Sequence, residues 1–267
     1  MRAKKIARLV VTLLVIYVLG GVLLYGVQEW LLFHPEALPR NHAFAIKQPY
    51  KEENITVDGK RNLSLVKFEA TGTKKGLVLY FHGNMRNIER YAPFTDVITK
   101  QGYEVWMPDY PGFGKSTGKR SEEGLYKDAL LVYELATKEQ IPEDIIIYGR
   151  SIGTGIASYL AAHRRSREVV LETPYYSMHA LARYYFPIYP VSRIINYHFP
   201  TNEYLSKVRV PISILHGTED EVVPYQQSVR LKKEHPHLVL YSIPKGKHNN
   251  LSEYPAFNKA LHEVLAR

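Results

Sequence analysis

Hydrophobic and polar positions divide this chain into two unlike parts. Leu9–Val27 (LVVTLLVIYVLGGVLLYGV) carries no charged residue, and as a helix it would span about 28 Å, close to the hydrocarbon core of a bilayer. Beyond it, short β-branched runs alternate with longer segments of helical periodicity. Asn54–Val57 and Leu63–Glu69 flank Asp58-Gly59, a hairpin signal. Gly76–Phe81, Tyr103–Met107, Ile145–Tyr148, Val169–Leu171, Ile212–Leu215 and Leu238–Ile243 read as strands. Helix-like runs lie between them at Arg90–Lys100, at Ser121–Glu139 behind a Ser-Glu-Glu capping signature, and at Ile152–His163. Alternation of this kind predicts an α/β domain, a mostly parallel central sheet flanked by helices on both faces.

The junction between one strand and its helix carries chemistry. Ile145-Ile-Ile-Tyr-Gly-Arg-Ser-Ile-Gly-Thr-Gly155 places Ser151 two residues from Gly149 and from Gly153, where the strand stops and the helix starts. This is the Gly-x-Ser-x-Gly pattern of a nucleophile elbow, a turn so tight that side chains at the flanking positions would collide. The first N–H groups of the helix are free to face an oxyanion. A base and an acid are found downstream: His248 in the loop after the last strand, and an acid within Glu219-Asp220-Glu221 after the preceding one. Serine is a weak nucleophile until an imidazole accepts its proton, and a carboxylate holds that imidazole in the right tautomer. The order Ser151, Asp220, His248, each at the carboxyl end of a strand, is that of a hydrolase triad on a parallel sheet. The Ile152 N–H is one expected oxyanion donor. The second is expected from Phe81-His82-Gly83-Asn84, with the Asn84 N–H preferred over that of Met85, and His82 read as a brace for the loop.

Charge changes the picture only at the N-terminus. Of a formal net charge of +9, four come from Arg2, Lys4, Lys5 and Arg8. The remainder forms no basic stripe or nucleic-acid motif, so no nucleic-acid partner is expected. The basic cluster precedes the apolar stretch, as in a signal anchor with its N-terminus in the cytoplasm and its folded domain on the other side. Tyr25 and Trp30 stand where interfacial aromatics belong. A cleaved signal peptide is the competing reading, but the apolar core is long for one and Gln28-Glu29-Trp30 is a poor cleavage site. With no cysteine there is no disulfide framework or thiolate site, the histidines form no metal pattern, and neither cofactor nor metal is expected. The expected organisation is an anchor over 1–30, a tether over 31–50 and a catalytic domain over 51–267, with a cap insert at about 173–209.

The blocks His82-Gly83-Asn84, Asp109-Tyr-Pro-Gly-Phe-Gly-Lys-Ser116, Gly149-Arg-Ser-Ile-Gly153, His216-Gly-Thr-Glu-Asp220 and Gly246-Lys-His248-Asn249 together resemble the α/β-hydrolase superfamily. They are most similar to its single-pass, membrane-anchored serine hydrolases, of the monoglyceride-lipase-like and acyl-protein-thioesterase-like kind. The resemblance implies the α/β-hydrolase fold and favours Asp220 over its glutamate neighbours as the acid. It also implies a structural role for the loop of Asp109, Gly112, Gly114 and Ser116. The cap of that fold would bring its many aromatics to the site, and Tyr175, Tyr184 and Phe186 are expected to line an apolar pocket. The activity expected is hydrolysis of an ester or thioester of a small acyl or lipid-like substrate. A peptidase of the same fold and an idle scaffold that has kept the fold are the alternatives.

Overall fold

The computed structural model describes residues 2–267. Helix α1 (Arg2–Leu32) is continuous and almost wholly exposed along its apolar stretch, and it is long and apolar enough to cross a membrane. The short strand β1 (His34–Pro35) follows, then the hairpin β2 (Tyr50–Val57) and β3 (Arg61–Phe68). Asp58 and Gly59 both take positive φ, 53° and 64°, in the three-residue turn Asp58–Lys60 between the paired Val57 and Arg61, the left-handed backbone that Asp and Gly tolerate in tight hairpins. Next come β4 (Gly76–Phe81), the short β5 (Met85–Arg86), α2 (Ile88–Thr99), β6 (Tyr103–Pro108) and α3 (Glu122–Ala136). Ser121 caps α3, its side chain accepting from the Gly124 N–H at 3.1 Å.

Strand β7 (Ile145–Arg150) leads into α4 (Gly153–His163), and β8 (Glu168–Glu172) leads into the cap, which contains α5 (Met178–Tyr185) and α6 (Thr201–Leu205). Strand β9 (Ile212–Gly217), α7 (Gln226–Glu234), β10 (Val239–Ile243) and α8 (Pro255–Leu265) complete the chain. The main sheet has eight strands in the order β10-β9-β8-β7-β4-β6-β3-β2. From β6 to β10 the pairs are parallel; only the β2–β3 and β3–β6 pairs are antiparallel.

The sheet is buried on both faces because its strands feed two cores. In β4, Leu77, Leu79 and Phe81 join the core beneath α3 and α4, while Val78 and Tyr80 join the one beneath α2 and α8. Side chains alternate across a strand, so an uninterrupted apolar run fills both layers.

The stretch read as a tether is held down along its length. Phe33 and Phe44 are buried, β1 pairs with β5, and Ala37 bridges to Gly114. Helix α1 therefore joins the domain without a free linker, and its last turns rest on the cap.

Candidate active site

The elbow is built by close approach. A Cβ on Gly149 would lie 2.6 Å from the Gly153 carbonyl oxygen, and one on Gly153 would lie 2.1 Å from that of Phe81. No side chain fits at either place. Ser151 itself takes a φ of 51°, a left-handed conformation that is costly for any residue but glycine. The surroundings impose it: the Ser151 N–H donates to Glu172 O at 2.9 Å, and Thr154 bonds back to Ser151 O through both its N–H and its hydroxyl. The neighbouring Arg150 side chain is buried against Glu172 at 3.3 Å and over the Phe94 ring.

The loops after β7, β9 and β10 bring Ser151, Asp220 and His248 together. Ser151 Oγ is 2.9 Å from His248 Nε2, and His248 Nδ1 is 2.7 Å from Asp220 Oδ2. The carboxylate can only accept, so Nδ1 carries the proton and Nε2 is left to receive that of serine. Asp220 is also held by the N–H groups of Val222 and Val223, each 2.8 Å from Oδ1. Burial would raise its carboxyl, but hydrogen bonds from His216 and His248 outweigh that and hold it well below the usual carboxylate range. Glu219 and Glu221 flank it in solvent, exposed.

His216 is a participant that reading the sequence missed. Fully buried, it sets Nε2 3.1 Å from Asp220 Oδ2 and 2.9 Å from Val223 O, with Nδ1 2.6 Å from Ser228 Oγ. A carbonyl only accepts, so Nε2 is protonated and directs N–H character at the acid. The available signal was a histidine four residues before the acid in the same block.

The loop after β4 faces Ser151. Asn84 is fixed at both ends of its polar set, its carbonyl accepting from His34 N at 2.9 Å and its amide donating to Leu32 O at 2.8 Å. Its own backbone N–H, like that of Ile152, makes no hydrogen bond among the described residues, and both residues border the cavity over Ser151. The Met85 N–H is engaged by Tyr91 Oη at 3.1 Å, which leaves Asn84 as the better placed of the two alternatives. His82 is buried below, 3.2 Å from Asp109 and bonded to Gly83 O. Burial lifts the Asp109 carboxyl above its ordinary value, with the His82 ring pulling the other way. Asp109 accepts from the Ile88 N–H, and Ser116 Oγ ties Asp109 O to the Ser64 N–H. This loop shapes the site from beneath and does not reach Ser151.

Over Ser151 lies a cavity of about 340 Å³ with an almost wholly apolar lining. Tyr175 and Phe186 line it. Burial pushes the Tyr175 phenol well above its ordinary value, and the neutral hydroxyl donates to Ile152 O at 3.1 Å. Tyr184 does not line it and is 61% exposed, a correction to the sequence expectation. In α5 the inward stripe is Met178, Leu181, Ala182 and Tyr185. Helical spacing of three and four puts Tyr185 on that stripe and its neighbour off it. The opposite wall was not expected at all: it is Leu24, Gln28, Leu31 and Leu32 of α1.

Fold and site together define an α/β hydrolase. The sequence of the serine aminopeptidase S33 family matches residues 72–207, about half of the chain, and the protein belongs to that family. The match runs from before β4 to the end of the cap and includes Ser151. Alpha/beta hydrolase domain-containing protein 17B of Xenopus laevis is 32% identical over 198 residues, covering 72% of this chain and 67% of that protein. An esterase of Pyrococcus furiosus superposes with a TM-score of 0.66 at 20% identity, covering 88% of this chain and 98% of its own. A soluble variant of monoglyceride lipase from Saccharomyces cerevisiae, in complex with a substrate analog, gives 0.63 at 17% identity over 86% and 97%. At those identities the two structures establish the fold.

Proposed function

We propose that this protein is a membrane-anchored serine hydrolase that cleaves an acyl ester or thioester through an acyl-enzyme intermediate. The observation that carries the reading is the Ser151–His248–Asp220 hydrogen-bonded chain, at 2.9 and 2.7 Å, whose serine lines an apolar cavity. In this mechanism Ser151 Oγ attacks the substrate carbonyl carbon while its proton passes to His248 Nε2. The N–H groups of Ile152 and Asn84 receive the oxyanion. Collapse breaks the bond to the leaving alcohol or thiol, which takes the proton from His248. Water then attacks the acyl-enzyme, gives its proton to the same nitrogen, and releases the carboxylic acid as Ser151 recovers its hydrogen. Asp220 stays ionised throughout and stabilises the imidazolium.

The lining supports an acyl substrate over an aminoacyl one, because no carboxylate among the described residues faces the cavity to hold an N-terminal ammonium. The esterase and monoglyceride lipase of the same fold point the same way. The anchor reading rests on α1, whose apolar length fits a bilayer and whose basic residues all precede it. The N-terminus is then cytoplasmic and the catalytic domain lies on the opposite side.

The test is Ser151→Ala in the full-length protein. The variant is expected to stay folded, to lose hydrolysis of p-nitrophenyl esters, and to lose labelling by a fluorophosphonate. Labelling at the wild-type rate would remove Ser151 as the nucleophile. A C-terminal reporter found in the cytoplasm would reverse the orientation.

A further inference from the structure

The end of α1 is part of the cavity, and the cap climbs along α1 toward its middle. Gln28, buried in the joint, donates to Ile194 O at 3.2 Å and accepts from the Asn196 N–H at 2.6 Å. Glu29 takes the Tyr197 hydroxyl and pairs with Arg120 at 3.0 Å. Further along the helix, Tyr17 stacks on Tyr189 with ring centres 4.9 Å apart and planes 6° apart, and its hydroxyl donates to Ile188 O at 2.9 Å. Gly20 and Gly21 form the notch for that ring: a Cβ on Gly20 would lie 2.2 Å from Tyr189 Oη. Small residues on a membrane helix permit such close approach.

These contacts fix a depth. Tyr17 sits midway along the uncharged stretch Leu9–Val27, about 15 Å of helix from its end at Val27. If that stretch fills a bilayer, the segment packed against Tyr17 lies within the bilayer too. The composition of that segment agrees. Tyr184-Tyr-Phe-Pro-Ile-Tyr-Pro-Val-Ser192 has no charge and is bracketed by Arg183 and Arg193, which can reach back to headgroups. Ile188 is 70% exposed and Tyr184 61%, a poor arrangement in water and a favourable one in lipid. Pro187 and Pro190 remove two N–H groups that would otherwise need partners in hydrocarbon.

Resting on the reading of a membrane-anchored acyl hydrolase, we propose that the cap segment Tyr184–Ser192 dips into the leaflet beside α1, and that the cavity takes the acyl chain of a bilayer lipid sideways from that leaflet. Ser151 shares the cavity with Leu31 and Leu32 of the last turn of α1, where the Asn84 side chain meets Leu32 O. That turn follows the uncharged stretch, at the interfacial level where a lipid ester carbonyl resides. The chain then runs down the helix from Leu32 toward Leu24. The anchor is thus a specificity-determining wall and not a tether alone.

The chain has no cysteine, so single probes can be placed at will. With Ile188→Cys carrying an environment-sensitive fluorophore in phosphatidylcholine vesicles, acyl-chain doxyl lipids should quench it, while a label on Lys233→Cys, exposed on α7, should not respond. Quenching of the Ile188 label by aqueous iodide to the same degree as the Lys233 control would overturn insertion. A phosphatidylcholine bearing a diazirine on its acyl chain should crosslink at Leu24 and Ile195 in the wild type and in Ser151→Ala alike. Crosslinks confined to the N-terminal half of α1 would overturn the cavity assignment. Both arms are independent of turnover, so they stand if the hydrolase reading fails. In activity, Gly20→Leu and Ile188→Asp should lower hydrolysis of a long-chain acylglycerol in vesicles by about tenfold or more. Acetate-ester hydrolysis in detergent should be unchanged in both variants. A parallel loss on both substrates would instead mark the loop as merely structural.

Discussion

His216 Nε2 lies 3.1 Å from Asp220 Oδ2, the same oxygen that His248 Nδ1 holds at 2.7 Å. One carboxylate oxygen therefore serves two imidazoles, one hydrogen-bonded to Ser151 and one sealed in the core. The second fixes the acid's orientation and competes for its charge. His216→Phe keeps a ring in the space but removes the donor. The expected outcome is a loss of about ten- to a hundredfold in kcat/KM, carried by kcat and not by KM, because the carboxylate that orients His248 is itself held less well. A loss carried by KM alone, or none at all, would reduce His216 to packing.

Asp220→Asn is expected to cost about four powers of ten in turnover, since an amide no longer enforces the imidazole tautomer. Glu219→Gln and Glu221→Gln, on exposed side chains, should leave turnover within about twofold. Steady-state rates on a short-chain ester decide this, and a reversed ranking would reassign the acid.

The depressed Asp220 carboxyl links stability to pH. A carboxyl whose folded value lies below its unfolded one contributes stability that is complete above the unfolded value, about 4, and is lost as pH falls toward the folded value. The wild type should therefore exceed Asp220→Asn in Tm at pH 7, and the gap should narrow below about pH 4. A constant gap from pH 7 to pH 3 would show that the ionised acid does not contribute.

Gly153→Ala places a methyl group 2.1 Å from the Phe81 carbonyl oxygen. Overpacking against backbone should cost about 1–3 kcal/mol in chemical denaturation and should displace the Ile152 N–H, so that kcat falls more than the change in stability alone would explain. Normal activity in a destabilised Gly153→Ala would separate the elbow from the oxyanion site.

Acyl length reports the cavity. Each methylene buried is worth about 0.8 kcal/mol, near fourfold in kcat/KM, so p-nitrophenyl esters should improve with length until the cavity is full. Tyr185→Ala and Phe186→Ala should flatten that rise, while Tyr184→Ala, outside the lining, should not in detergent solution. Equal effects of all three would mean that the cap acts as a whole and not through its inward stripe.

Much of this protein is set by local patterns. The β-branched runs, the Asp58-Gly59 hairpin, the Ser121 cap and the long apolar helix are decided by neighbours in the chain, and their periodicities can be read directly. The elbow belongs with them, because strand, glycines, serine and helix lie within eleven consecutive residues. His248 and Asp220 were legible for a related reason: in a parallel sheet the loops at the carboxyl ends of strands converge, so chain order implies proximity. What tertiary structure alone decided are meetings between distant segments. His216 reaches Asp220 only through the curl of the loop after β9. Tyr185 faces the cavity in place of Tyr184 because the start of α5 sets the phase of its stripe. Leu24, Leu31 and Leu32 become a wall of the site because the cap folds back on α1 and stacks Tyr189 on Tyr17. An apolar membrane-length helix has the same hydrophobic pattern on every side, so its sequence does not mark which side a neighbour will cover; the packing of the cap makes that choice.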